Sequence, residues 1–326
     1  MQKEYTIYKM KFKGGIHTSG EGLYDATETP LIHSDTLFSA ICCTAAMLYG
    51  NEFTTELLKE GNFILSSAFP FFRESLLLPR PLNFLPEISQ ERYSLRKAFK
   101  KTRFIPLRMV EDILNGNLEI TGINENDLTN QCLLPCSPGT CSRKFYVRSE
   151  IPRVTIDRID NSPSIYHFTE LRFDSEAGLY FFAEVKKALQ EKFLASLRLL
   201  GDEGIGGDRT AGKGLFSIET ETILLNLPQK PEAFLLISTY LPASEELKDF
   251  LPERSFYEIK ARGGWISNSS YKRRTFRMFT EGSVLSFRNK NYPKGQVLNA
   301  YCNLEEAYQV FRNAQAFVLP IGGENV

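Results

Sequence analysis

The sequence predicts an α+β fold in two units, the first interrupted by a long insertion. Three observations carry that expectation. Residues Tyr5 to Phe12 alternate at strand spacing; Leu37, Ile41, Ala45 and Leu48 repeat at helical spacing; and a second helical run leads through a glycine-rich stretch into another alternating segment at Phe216.

In the first strand Tyr8, Met10 and Phe12 share one side and Ile7, Lys9 and Lys11 the other. A loop, GGIHTSGEGLYDATETP, leads to a helix with Ser34 as its expected N-cap, Asp35 at the positive end of its dipole and Gly50 as its stop. Strand, loop and helix make the first half of a ferredoxin-like unit. Its second half is the helix Glu184 to Leu200, buried through Val185, Leu189, Phe193, Leu197 and Leu200, followed by the strand at Phe216, Ile218 and Thr220. Residues about 82 to 164 are the insertion, and Arg92, Arg96, Lys97, Lys100, Lys101, Arg103 and Arg108 within it read as a solvated helix face. The first unit spans 1–221.

A second ferredoxin-like unit is expected over 222–326. Its elements are a strand Phe234 to Leu241, a short helix capped by Ser244, and alternation from Phe256 to Ala261. A hairpin of Arg274 to Thr280 with Val284 to Phe287, turning at EGS, and a last strand Ala316 to Ile321 complete it. No low-complexity linker separates the halves, so a shared interface is expected.

A hydrophobic content of 42% in 326 residues builds a real core. Lys plus Arg number 39 and Asp plus Glu 39, so any nucleic-acid surface must be local. The sequence contains no apolar run long enough to span a bilayer, and a cytosolic protein is expected. Six cysteines do not form a disulfide framework in a chain this long; Cys42 and Cys43 fall in an apolar helix, and Cys132, Cys136 and Cys141 fall in a loop without a fourth zinc ligand nearby.

The segment GDEGIGGDRTAGKGLF, Gly201 to Phe216, carries the chemistry. Gly207 to Lys213 satisfies the opening of the nucleotide phosphate-loop pattern, but Gly214 stands where a magnesium-binding hydroxyl belongs. The order helix, glycines, strand also leaves no helix N-terminus facing a triphosphate. Two readings stay open from the residues alone: a mobile surface loop, or a glycine-rich loop that lets a polymer backbone approach while Arg209 and Lys213 supply charge.

Four stretches together carry a resemblance: LIHSDTLFSAI in the first helix, PRVTIDR at Pro152 to Arg158, GGDRTAGKGLF after the second, and RGGW with TEGSV late in the chain. They resemble the RAMP superfamily of CRISPR proteins. Their order and spacing are nearest to its Cas-five-group branch, the fourth subunits of type III-A Csm effector complexes. The resemblance implies two ferredoxin-like domains with an irregular thumb-like insertion in the first. The function implied is that of a non-enzymatic subunit holding the 5′ tag of the crRNA, without cofactor, metal or membrane and not as an obligate homo-oligomer. Implied partners are the large polymerase-like Csm subunit and the backbone Csm subunit.

Carried over by position, the RNA-facing residues are Gly206, Gly207, Arg209, Thr210, Gly212, Lys213 and Gly214 of the loop. His33 and Ser34 at the first helix, Arg153, Thr155 and Arg158 of the insertion, and Gly15 and His17 of the first loop join them. Amides of Gly206 and Gly207 would approach phosphates, and Asp157 and Asp208 would orient Arg158 and Arg209. A basic patch containing Lys272, Arg273, Arg274 and Arg277 beside Phe276 reads either as a further RNA contact or as a solvated hairpin face. Lys213, Gly214 and Phe216 match only the opening of the RNA-stacking motif of ferredoxin-like RNA binders, so base stacking on the sheet is not expected. The rival function is a metal-independent ribonuclease using His33, with His17 and His167 as the other available imidazoles.

Overall fold

The protein is described from a computed structural model, over residues 1–17, 29–86, 92–117, 123–129, 131–134, 144–266, 271–301 and 310–323. Strand β1 (Gln2–Phe12) buries both faces: Tyr8 and Met10 on one side, Tyr5 and Ile7 on the other. The predicted polar side is therefore covered. The cause is visible in the rings, since Tyr8 meets Phe193 of a helix while Tyr5 meets Phe317 of the second unit.

Helix α1 (Ser34–Leu58) buries Leu37, Ile41 and Ala45 of the expected stripe, with Phe38 beside them, but leaves Leu48 exposed. Gly50, at φ 75°, breaks the helix without ending it, because Phe53 and Leu57 continue the buried stripe one run further. Strands β2 (Phe63–Leu65), β3 (Phe69–Phe72) and β4 (Ser75–Pro79) follow.

The insertion is more regular than expected. Helix α2 (Tyr93–Lys100) buries Leu95 and Phe99 and turns its cations to water. Strand β5 (Phe104–Pro106), helix α3 (Leu107–Leu114), and strands β6 (Leu128–Thr129) and β7 (Cys132–Leu133) then extend the main sheet. Strands β8 (Tyr146–Ile156) and β9 (Pro163–Phe173) form a two-stranded arm with unbroken register from Tyr146↔Phe173 to Ile156↔Pro163. From Pro152 to His167 every residue except Arg153 is exposed, so the distal arm projects about 20 Å beyond Pro152. Its second strand thus runs past residue 164 to Phe173.

Strand β10 (Ala177–Val185) absorbs Val185, and helix α4 runs Gln190–Glu203, later than expected, with Phe193, Leu197 and Leu200 buried. Strand β11 (Phe216–Asn226) pairs with β1 along its whole length, Phe12↔Phe216 to Gln2↔Asn226. The large sheet has the order β11-β1-β10-β3-β4-β5-β7-β6, with β2 also on β10. Around β1 all pairings are antiparallel. Helices α1 and α4 cover one face, joined by the Thr44 hydroxyl donating to the Ser196 carbonyl, 2.9 Å.

In the second unit β12 (Ala233–Leu236) is shorter than expected, and α5 (Ser244–Asp249) has Ala243, not Ser244, at its N-cap. The remaining strands are β13 (Ile259–Arg262), β14 (Phe276–Phe279), β15 (Val284–Leu285), β16 (Gly295–Asn299), β17 (Phe311–Gln315) and β18 (Val318–Ile321). The EGS hairpin does not form. Strand β14 pairs with β13, and β15 crosses to β12, whose other edge holds β18, so the segments flanking Gly282 serve different sheets. The larger hydrophobic cluster runs from Tyr5 and Phe182 to Phe317 and Leu319 and so includes residues of both units, while a second, smaller cluster around Phe234, Tyr240 and Phe279 lies in the C-terminal unit.

Candidate nucleic-acid interface

The glycine-rich loop is packed by its ends and open at its apex. Gly206 (φ 96°) lies so close to residue 17 that a Cβ would stand 2.3 Å from the His17 carbonyl oxygen; at Gly214 (φ 73°) it would stand 2.0 Å from that of Ile205. The Ile205 amide donates to the Gly214 carbonyl (3.0 Å), the Gly214 amide to Gly15 (3.0 Å) and the Gly207 amide to His17 (2.7 Å). Gly207 therefore has no amide to offer a phosphate, and Gly15 and Gly214 are buried. What reaches solvent is the turn from Arg209 to Gly212. Arg209 and Thr210 are exposed, and among the described residues no ion pair involves Arg209.

Lys213 is held differently. Its Nζ lies 2.5 Å from Glu170 Oε2, and Arg172 Nε lies 2.5 Å from the other oxygen of the same buried carboxylate. Burial would raise the Glu170 pKa, but hydrogen bonds from Lys213 and Arg172 outweigh it and hold the carboxyl below its usual range. A Cβ on Gly15 would fall 2.3 Å from this carboxylate, which explains the glycine there.

The root of the arm closes the other side. The His17 Nδ1–H donates to the Thr169 carbonyl at 2.6 Å, and its ring rests on Phe168 with centroids 4.5 Å apart. Arg153 sits over the same Phe168 ring at 4.3 Å and donates to Asp208 Oδ2 at 2.5 Å. That hydrogen bond keeps the Asp208 carboxyl below its ordinary pKa. Asp208 thus orients Arg153, not Arg209 as expected. Gly15, His17, Arg153, Gly206, Gly207, Arg209, Thr210, Gly212, Lys213 and Gly214 do converge here. The four cations Arg153, Arg172, Arg209 and Lys213 face two carboxylates, Glu170 and Asp208, a local surplus of positive charge in a neutral chain.

Phe168 and Glu170 were missed from sequence. Their alternation with Arg172 on β9 is a readable row, but nothing local names the loop it faces. Thr155, opposite Ser164, is exposed on the arm, and Arg158 stands at its tip, about 17 Å of strand beyond Arg153. Asp157 accepts the Ile159 amide at 2.7 Å and shapes that turn rather than orienting Arg158.

The start of α1 is an internal joint. His33, not Ser34, is the N-cap. Ser34 is buried: its amide donates to Ser67 Oγ (2.8 Å), while its hydroxyl contacts Thr239 Oγ1 (2.9 Å) and accepts the Thr239 amide (2.9 Å). It has no surface for a phosphate. His33 Nδ1 lies 2.9 Å from Glu281 Oε1, and the same carboxylate accepts the Ser67 hydroxyl. Asp35 is clamped by Arg262 (2.7 and 3.2 Å) and by Arg312. Burial alone would raise its pKa, but the two guanidiniums hold the carboxyl far below the usual range. The stretches HSDTLF, RGGW and TEGSV therefore lock one another across the two units.

Arg273 is half-buried, donating to Ser39 Oγ (3.0 Å) and the Trp265 carbonyl (3.1 Å), whereas Arg274 is exposed beside Phe276. Cys132 is buried in β7 with its thiol pKa pushed well up by burial; Cys136 and Cys141 lie outside the described residues.

With this geometry in place, comparison with known proteins is specific. The RAMP superfamily profile matches residues 9–217, and the chain belongs to that superfamily. Residues 229–321 match the CRISPR Csm4 C-terminal domain. The CRISPR system Cms protein Csm4 of Thermococcus onnurineus (strain NA1) is 29% identical over 274 residues, covering 80% of this chain and 83% of its own. Csm4 of Streptococcus thermophilus is 24% identical over 298 residues, covering 86% and 89%. Among solved structures, a Csm1-Csm4 cassette in complex with pppApA aligns with TM-score 0.65 at 20% identity, over 99% of this chain and 100% of that one. A Csm3-Csm4 subcomplex of the type III-A interference complex aligns with TM-score 0.63 at 18% identity, over 98% and 100%.

Proposed function

We propose that this chain is a non-catalytic RNA-binding subunit of a type III-A CRISPR interference complex in antiviral defence, holding the 5′ tag of the crRNA. It docks the large polymerase-like subunit and the backbone subunit, as the solved Csm1-Csm4 and Csm3-Csm4 assemblies suggest for a chain of this fold. The observation that carries the RNA reading is the exposed Arg209–Gly212 turn, mounted on a packed glycine loop beside Arg153 and Lys213. Arg209 and the exposed turn meet phosphate oxygens, while Lys213 and Arg153, already paired, add field and rigidity. The order β11-β1-β10-β3 with two helices on one face supports a ferredoxin-like first domain, 1–221, and 222–326 forms the second. Among the described residues no helix is long and apolar enough to cross a membrane, and a cytoplasmic complex fits that.

The ribonuclease reading asks for an imidazole nitrogen at a leaving oxygen. His33 Nδ1 is engaged by Glu281 and His17 Nδ1 by Thr169, so a cut would have to use Nε2 of either ring, and experiment decides between binding and cutting. Titration of labelled crRNA tag into wild type and Arg209→Ala across a salt series tests the proposal. The variant is expected to bind less tightly, with a salt slope shallower by about 0.7, the share of one phosphate contact on a single strand. An unchanged slope and affinity, or a discrete histidine-dependent cut, would overturn it.

A further inference from the structure

Trp265 is the chain's one tryptophan, and it is 60% exposed. Aromatic rings of that size are normally half or more interior, so an indole left in water on a rigid mount needs a reason. Its mount is rigid. The β13–β14 ladder continues past Arg262↔Phe276 to a bridge between Trp265 and Lys272, closed by the Arg273 amide donating to the Gly264 carbonyl (2.8 Å). Arg273 ties the Trp265 carbonyl to Ser39, and Arg262 ties the strand to Asp35, so the hairpin is bolted to the start of α1.

The charge around it is one-sided. From Ile259 to Thr280 the sequence holds Lys260, Arg262, Lys272, Arg273, Arg274 and Arg277 and no Asp or Glu. Lys260 and Arg262 are paired with Glu258 and Asp35, but Lys272, Arg274 and Arg277 are exposed, and Lys272 Nζ stands 5.0 Å from the indole centroid. The core of a protein–protein interface is enriched in Trp and Arg but depleted of Lys, and here an exposed Lys272 stands at the indole itself. A ring amid cations, in a stretch of sequence that carries no carboxylate from Ile259 to Thr280, instead suits a ligand with anionic links and flat apolar faces. A single-stranded nucleic acid has both.

We propose that Trp265 is a stacking platform for an unpaired base, and that Lys272, Arg274 and Arg277 hold the adjoining phosphates. This makes a second RNA contact, separate from the glycine loop, on the other unit. It rests on the reading of the chain as an RNA-binding subunit and adds a base-contacting site to it. Recognition there is tolerant of sequence, because every base has a π face, and intolerant of duplex, whose bases are already stacked.

Tryptophan emission of the full chain, followed during titration with single-stranded oligouridylate, reads the contact directly. Emission is expected to fall and saturate with single strands and to stay unchanged with a duplex of the same length. Binding is followed in parallel through the anisotropy of a labelled oligonucleotide. Trp265→Ala is expected to weaken single-strand binding about 5- to 150-fold, the range of one base–aromatic stack. Trp265→Phe, which keeps a ring, should recover most of that loss and guards against a folding defect. Unchanged emission at saturating RNA, or Trp265→Ala binding as wild type, overturns the inference. If Arg209→Ala weakens binding while Trp265→Ala does not, the inference falls and the function proposed above stands; if wild type binds no RNA, both fall. An emission change produced by a partner subunit and not by RNA assigns the patch to a protein and also overturns it.

Discussion

Arg209 and Lys213 stand on one loop four positions apart, and the fold gives them different work. Lys213 neutralises the buried Glu170, whereas Arg209 makes no ion pair among the described residues. Arg209→Ala should therefore cost RNA affinity and leave the urea midpoint unchanged. Lys213→Met should cost about 1–3 kcal/mol of stability, because Glu170 keeps only Arg172. A Lys213→Met protein as stable as wild type would show that the pair is incidental. Asp35 is the stronger case: Arg312 is almost wholly buried against it, so Asp35→Asn leaves a guanidinium uncompensated and is expected to destabilise by about 3–5 kcal/mol. Both units should loosen together, read as one urea transition at a lower midpoint. Ser34 shows where residue-level reading stopped. A serine before a helix is a good N-cap by type, but its partners Ser67 and Thr239 lie far along the chain and carry no local signal.

At the scale of elements, β1, β11, α1 and the buried stripe of α4 were legible because their periodicity reports local burial. The covered second face of β1 was not, since it depends on Phe317 arriving from nearly the far end of the chain. The EGS hairpin failed for a related reason: short apolar segments such as β14 and β15 choose partners by available sheet edges, not by the nearest turn. In the candidate site the loop, His17 and Arg153 could be named from sequence, but the Asp208–Arg153 pairing and the spent amide of Gly207 could not. The arm gives a test of its own. Because its distal part is exposed on all sides, replacing residues 154–165 by a tight turn should move Tm by no more than about 2 °C. A large fall in Tm would mean that the distal arm packs against the body.

The whole molecule is held by carboxylates placed at its joints. Asp35 and Glu281 link the two units, and Glu170 links arm and loop; all three have folded-state pKa values below their ordinary ones despite burial, because the guanidinium, imidazole or ammonium partners outweigh desolvation. A depressed carboxyl contributes stability that is present above its unfolded pKa, near 4, and is lost as pH falls through the folded value. The urea midpoint is thus expected to hold near neutrality, so far as these groups decide it, and to decline below about pH 4.5 as the unfolded chain takes up protons first. A midpoint flat down to pH 3 would show that these pairs do not hold the units together.

That the crRNA tag lies across the Arg209–Gly212 turn is the claim on which the functional account rests. Photocrosslinking in the assembled effector complex, with a photoreactive group at the 5′ end of the guide and the attachment mapped by peptide mass, tests it most directly. The account predicts attachment between Asp208 and Lys213, with a second product near Arg153. Attachment confined to other surfaces, with this turn shielded by a neighbouring subunit, would contradict it.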